Sequence, residues 1–585
     1  TQSRPSDPKL ALLLNHCGAI LGKSNLQHSD NYFSLGGDSI QAIVLASRLH
    51  EAGFLLDVND LFRNPILSEL ASRITAKGSR PIQVLPSSAT VLSTPMQSWF
   101  FASCRGDPNG FTQAAWLGLP ANITLTQLSD LCRHWASQHA AFKETCALVA
   151  RRSGEPERDL SYAALVQCEQ TNDQADLDAI ARAARADISL QDGPLMKVVH
   201  VPKQARALIV FHHFIVDAVS WQILQAQWAQ LWQDIEKGRA LRGLPEGATL
   251  RQFASALHGE KAQQKARLEA PFWQAQLAAS KAAFAAQASK GQTGERLQRS
   301  ARLEPEVSEA LLTTGHAKFR SRGSDLLLAA FTATITRVCE VDAVTVLMES
   351  NGRAQTYAEA DPLRIDNSRA RSNEDWTLQV TRIRELTQRV PEQGVGYGVL
   401  KYIVGHAALA DFEPEFTFNY LGRFKQQQDL EFAILNETPA GDRMGELGLL
   451  PALEFVCYAD DAGLHVSISA DAELVGESTL ARILDMFEHQ AQSLAAMCQA
   501  LDTPVPPAPI DFVEPDWDLD AYLSLLDANG IERSEVSNIV PITAMQSGLI
   551  FHARSKPADL AYLEQVDFTL QGVEADKLAH AFQRL

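Results

Sequence analysis

The sequence predicts a small all-α bundle joined to a large α/β domain, with the start of a further domain behind it. Three observations carry this reading. Residues 8 to 76 place apolar side chains at helical spacing. Residues from about 85 to 500 alternate short apolar runs with longer amphipathic stretches. The tripeptide Met-Gln-Ser then recurs behind a second proline-rich linker. At 585 residues, the chain is too long for one domain.

In the bundle, assigned to residues 1–78, PKLALLLNHCGAILGK and DSIQAIVLASRLHEAG read as helices. VNDLFRN reads as a short helical turn, and LSELASRITAKG as the fourth helix, with Pro65 just inside its start. A Pro/Ser-rich linker covers 79–92. The large domain is assigned to 93–500, in two halves of about 93–260 and 295–500. Its expected strands are AALVQCEQ, PLMKVVHV, ALIVFHH, AVTVLMES, EFTFNYLG and GLHVSISA; its expected helices include WQILQAQWAQLWQDIEKG and EAPFWQAQLAASKAAFAAQASK. A linker over 501–538, with TPVPPAPIDFVEPDWD, leads to residues 539–585, which end in an apparent helix, KLAHAFQRL. STPMQSWFF (93 to 101) and ITAMQSGLIF (542 to 551) share Met-Gln-Ser and their flanking pattern, so 539–585 read as the first part of a second copy. That part is too short to build such a core alone.

A net charge of −18 gives no bulk attraction to nucleic acid or an anionic membrane. The eight cysteines are scattered without a CxxC pair, which argues against zinc or a disulfide framework and fits a reducing cytoplasm. The N-terminal stretch lacks a signal-peptide layout, and no apolar run reaches the roughly 20 residues of a membrane span. There is no HExxH or Walker loop, and GVGYG (394 to 398) is read as lacking the helix that would make it a phosphate cradle, so no metal or redox cofactor is expected.

Two stretches carry candidate chemistry. In DNYFSLGGDSIQA, Gly36 and Gly37 allow a tight turn, and Asp38 and Ser39 open a helix. A phosphate on Ser39 would meet the free N–H groups of that helix end; from spacing alone an ordinary N-cap serine is the better reading. In FHHFIVDAVSW, His212 and His213 close an apolar strand and point to opposite faces, so one can pack while the other faces a cavity. Asp217 could orient the histidine or brace the turn, and Ser220 and Trp221 begin the next helix.

Residues 8 to 76, with LGGDS inside a helical bundle, resemble a peptidyl carrier domain of a nonribosomal peptide synthetase. The resemblance implies a 4′-phosphopantetheine arm on Ser39, added by a phosphopantetheinyl transferase. FHHFIVDAVSW matches HHxxxD of the condensation-domain superfamily. It implies an α/β domain of two chloramphenicol-acetyltransferase-like halves set in a V, a catalytic His213, and an Asp217 that braces. Alanine after the Asp and the Ser220-Trp221 pair resemble the epimerisation form, HHxxxDxxSW. VLMESNGRA (346 to 354) resembles EGHGRE, with Glu349 first and Arg353 retained; PEQGVGYG resembles PxxGxGYG; FTFNYLGR resembles FNYLGR. Residues 539–585 resemble the start of a following condensation domain.

The resemblance therefore implies L-to-D epimerisation at Cα of an aminoacyl or peptidyl thioester on Ser39. His213 and Glu349 would be the proton-transfer pair, with Asn419 and Tyr420 lining the site and His212, Asp217, Ser220, Trp221 and Arg353 supporting it; Tyr420 reads equally as a core tyrosine with a satisfied hydroxyl. Upstream adenylation and condensation domains and a downstream condensation domain of the same synthetase would be its partners. Three departures stand beside this. Asn351 and Ala354 replace the pattern's histidine and last glutamate. No stretch like RTVGWFTxxYP occurs between the EGHGRE-like and PxxGxGYG-like motifs; TYAEADPLRIDNS runs straight through, which reads either as a genuine deletion or, preferred here, as a flexible loop missing from the chain. Peptide-bond formation, or a degenerate domain that only presents its cargo, are the competing readings.

Overall fold

The computed structural model describes the chain except residues 1–6, 34, 36, 38, 57–59, 62–64, 77–89, 157–158, 172–175, 245–248, 278–283, 285–295, 351–358, 367–375, 413, 424–430, 436, 450, 513–516, 556–564, 568 and 584–585. Helices α1 (Pro8–Leu21), α2 (Ser39–Glu51) and α3 (Leu67–Arg73) bury Leu13, Cys17, Leu45, Leu49 and Leu70 in one core. Two short strands, β1 (Phe54–Leu55) and β2 (Thr75–Ala76), pair antiparallel beside them. Of the expected turn VNDLFRN, Asp60 and Leu61 are described, and both are helical. Pro65 does not sit inside α3. It precedes the N-cap Ile66, and its carbonyl accepts from the Tyr32 N–H at 2.8 Å, tying the start of that helix to the loop before α2.

The first half begins with α4 (Pro95–Ser103) and is built on four strands, β3 (Thr112–Gly118), β4 (Val166–Gln170), β5 (Met196–Val201) and β6 (Arg206–His212), in the order β3-β6-β5-β4. Both faces are covered, which explains the unbroken apolar run of β6. On one face Phe211 packs with Phe100 of α4 and with Leu224, Trp228 and Trp232 of α5 (Ala218–Glu236). On the other, Leu208 and Val210 meet Trp116 and the helix Leu177–Ala186.

Helix α6 runs over Glu260–Leu277, starting ahead of the expected EAPFWQAQL. The second half is a six-stranded sheet of β7 (Arg296–Leu303), β8 (Ala343–Ser350), β9 (Glu359–Asp366), β10 (Phe416–Arg423), β11 (Leu453–Asp460) and β12 (Gly463–Asp471), ordered β7-β12-β11-β10-β8-β9. Helices α7 (Gly323–Val338) and α8 (Glu477–Ala500) cover one face over a core that includes Phe331, Phe418, Phe455 and Phe487.

Four strands of the two large sheets were not expected: β3, β7, β9 and β11. Strands β7 and β9 are the sheet's edges, where a polar sequence and Pro362 are tolerated because one side needs no ladder bonds. Strand β9 lies where the pattern's missing segment would be. It pairs antiparallel with β8 from Ala343↔Asp366 to Ser350↔Glu359, so residues 351–358 alone connect the two.

The halves are interleaved. Residues 432–435, from the second half, lie on β3: the Gly118 N–H donates to Ala433 O and the Leu435 N–H to Trp116 O, both at 2.8 Å. Phe432 is buried against Trp228, ring centroids 5.6 Å apart. Residues 1–505 form one compact unit. A second unit, 506–585, holds the helix Leu519–Asn529, α9 (Ala544–Ser555) and α10 (Ala575–Gln583). Among the described residues no helix is long and apolar enough to cross a membrane.

Candidate functional site

The two histidines at the end of β6 have opposite fates. His212 is fully buried, and both its nitrogens are committed: Nε2 lies 3.0 Å from the Pro108 carbonyl, and Nδ1 accepts the Phe214 N–H at 3.1 Å. A carbonyl only accepts, so the proton is on Nε2 and the ring is neutral. Burial pushes this imidazole down to about 3. His212 is a packing residue.

His213, half-buried, is the first residue past the strand. Its ring stacks on Phe111, centroids 4.6 Å apart and planes 12° apart, and its N–H donates to the Phe111 carbonyl at 2.8 Å. Its Nε2 lies 2.8 Å from Gln113 Nε2. Burial lowers its pKa; backbone hydrogen bonding at His213 and Val216 and the carboxylates of Asp217 and Asp442 oppose that.

Asp217 is the N-cap of α5. Its Oδ1 accepts the Ser220 N–H at 2.8 Å and the Ser220 hydroxyl at 2.7 Å, while its own N–H donates to Ser220 Oγ at 3.1 Å. This closed cap fixes where α5 starts and so where Trp221 stands. The Trp221 Nε1–H donates to Gln113 Oε1 at 2.9 Å. Gln113 and Phe111 were missed by sequence reasoning; the one signal was a lone glutamine in the otherwise apolar TQAAWLG.

In the second half, Glu349 lies at the end of β8, and of this residue the structure describes the backbone alone. The parallel register Leu347↔Thr417 and Met348↔Phe418 carries Glu349 one step along β8 as Asn419 is one step along β10. Asn419 and Tyr420 do not share a face. Tyr420 continues the side of Phe416 and Phe418 and packs against the core, whereas Asn419 lies on the side of Thr417. Arg353, Asn351 and Ala354 lie outside the described residues.

A helix does follow the glycines of PEQGVGYG, Val395–Gly398 running into a π-helical turn at Val399–Val404, contrary to the sequence reading. A Cβ on Gly396 would overlap the Glu269 carboxylate of α6, which also accepts the Trp273 Nε1–H at 3.2 Å. Tyr397 is buried 5.6 Å from the Trp273 ring. The glycine is needed for the close approach of the Glu269 carboxylate.

Ser39 is the first residue of α2, with only its backbone described. A Cβ on Gly37 would run into the Tyr32 ring, and the Gly37 N–H donates to the Tyr32 carbonyl at 3.1 Å, so the turn into α2 is built tightly. A serine opening a 13-residue helix fits a phosphodiester at its free N–H groups. Helix α2 also lies against β10, the strand of Asn419, and Phe33 meets His316 edge-on at 5.3 Å.

The condensation-domain family model matches residues 87–504, and the phosphopantetheine attachment site model matches 11–74. A mycosubtilin synthase polypeptide of Bacillus subtilis is 26% identical over 590 residues, covering 95% of this chain and 22% of its own length. A linear gramicidin synthase polypeptide of Brevibacillus parabrevis is 26% identical over 612 residues, 97% of this chain and 8% of its own. The chain thus spans a small part of these relatives. Among solved structures, the epimerization domain from the third module of tyrocidine synthetase B superposes with a TM-score of 0.59 at 19% identity, covering 71% of this chain and 100% of that one. The condensation domain of Monacolin K polyketide synthase gives 0.53 at 12%, covering 71% and 98%. At these identities the likeness is one of fold.

Proposed function

The chain belongs to the condensation-domain family, with a phosphopantetheine attachment domain ahead of it, and from that premise we propose that it epimerises the Cα of an aminoacyl or peptidyl thioester carried on Ser39, within nonribosomal peptide synthesis. The supporting observation is the use made of Ser220 and Trp221, the pair that distinguishes HHxxxDxxSW. Ser220 closes the cap with Asp217, and Trp221 reaches Gln113 beside His213. The contact of α2 with β10, the strand of Asn419, supports delivery from Ser39 to the second sheet.

The bound arm supplies a thioester, whose carbonyl acidifies the Cα–H. His213 and Glu349 are the proton-transfer pair in this reading. The neutral His213 ring takes the Cα proton on Nε2 and becomes imidazolium. Protonated Glu349 returns a proton to the opposite face and is left as carboxylate, so the cargo keeps its hydrogen count and inverts. In this reading Asn419 donates to the charge that builds on the carbonyl oxygen.

The test loads Ser39 with an L-aminoacyl-pantetheine in deuterium oxide and follows mass and chirality. Deuterium uptake with an L/D mixture, lost in His213→Ala and Glu349→Gln, is expected. Full exchange in Glu349→Gln removes Glu349 from the pair. No uptake with several cargoes, in a chain that is correctly loaded, overturns the epimerase; peptide-bond formation with a supplied acceptor would then identify a condensation domain.

A further inference from the structure

Three side chains next to His213 form a chain of hydrogen bonds with only one possible polarity. An indole N–H can only donate, so the Gln113 atom facing Trp221 at 2.9 Å must be the oxygen. The amide NH2 therefore faces His213, 2.8 Å from Nε2, and Nε2 must accept. In the neutral ring the hydrogen is then on Nδ1. This tautomer is the reverse of the one fixed in His212.

We propose that Gln113, aligned by Trp221, is a positioning residue that holds His213 in the neutral tautomer with its lone pair on Nε2, and so biases it to accept a proton rather than to give one. The bias follows from the cost of the alternative. A protonated ring has N–H on both nitrogens, and its Nε2–H would face the Gln113 NH2. Turning the amide over would satisfy the ring and leave the Trp221 N–H without an acceptor in a nearly buried site. An arriving Cα–H displaces the Gln113 amide from Nε2. Other groups act on the ring: the carboxylates of Asp217 and Asp442 favour its charged form, and burial disfavours it. The neighbouring His212 is itself neutral. The donor chain adds to the side of burial.

This rests on His213 being the proton acceptor, so the readout is chosen to be independent of turnover. The full-length chain is labelled with ¹⁵N-histidine, and His213 is picked out of the 15 histidines as the signal lost in His213→Asn. Its tautomer and titration are then followed in wild type, Gln113→Glu and Trp221→Phe. Wild type should show the Nδ1–H tautomer. Gln113→Glu supplies an acceptor and a charge, and should raise the midpoint by about one unit or more. Trp221→Phe frees the amide to turn, and should raise it by less. The acid limb of Cα exchange should move to higher pH by the same amounts, because the lone pair is then available only at higher pH. An Nε2–H tautomer in wild type overturns the proposal, as does an unchanged midpoint in both variants with folding intact by circular dichroism. The expected shifts in a wild type that exchanges no Cα proton support the donor chain and overturn the epimerase.

Discussion

Residues 91–98 and 540–547 share Val, Thr, Met, Gln and Ser at the same five positions, and both lead into a helix. The local structure is the same. In the first, the Gln97 N–H donates to Thr94 Oγ1 at 3.2 Å and the Thr94 N–H to Gln97 Oε1 at 3.0 Å. In the second, Gln546 and Thr543 make the same reciprocal bonds at 3.2 and 2.8 Å. The surroundings differ completely. Val91 is 5% exposed and Val540 58%. Phe100 of α4 packs on Phe111 and Phe214 at 4.7 and 4.8 Å, whereas Met545 and Phe551 of α9 are exposed. A capping box is a contract between residues three apart and forms wherever its letters occur. Burial needs partners from far along the chain.

The largest effect expected from this contrast is at Phe100. Phe100→Ala should cost about 3–5 kcal/mol, from lost transfer energy plus the cavity. Because Phe100 supports Phe111, on which His213 stacks, it should also slow Cα exchange at least about tenfold, a loss of roughly 1.4 kcal/mol of transition-state stabilisation. Leu549, at the matching position of α9, should change stability by less than about 0.5 kcal/mol when replaced by alanine. Urea unfolding read by tryptophan fluorescence measures both; equal losses would break the contrast.

Acid should come next. His212 and His316, pushed by burial down to about 3 and about 4, stay neutral in the folded chain while the unfolded chain takes up protons below about 6.5. The unfolded state then binds more protons, so stability present at neutral pH is lost as pH falls from about 6.5 towards 3. Thermal midpoints at pH 7, 5 and 4 should drop in that order. The drop should be smaller in His212→Gln, which starts less stable. A flat profile would mean these rings are not held neutral.

The smallest expected effect is at the caps. Thr94→Ala should cost about 1 kcal/mol globally, since its helix end is buried. Thr543→Ala removes the corresponding Gln546 N–H to hydroxyl bond from an exposed helix and should fray α9 alone, seen as faster amide exchange at Gln546 and Ser547 without a change in the main transition.

What the sequence determined by itself was whatever needs only near neighbours or a strong pattern. Strand β8 lies where AVTVLMES was read, since a bounded apolar run folds into the sheet wherever that sheet is. The order of the bundle and the α/β domain was legible for the same reason, as was a helix opening at Ser39. Strands β7 and β9 were not legible, because an edge is defined by which strands already occupy the middle, and polar residues serve there. The opposite roles of two adjacent histidines were decided in the tertiary structure: Pro108 committed His212, and Gln113 reached His213 from a strand 100 positions away. Tyr420 was separated from Asn419 by strand alternation, once the core had taken one face. Gly396 met Glu269 only because α6 crosses the motif. Letters fix bonds within a turn or a strand. Which side chain is sealed and which is left to react depends on what the rest of the chain brings against it.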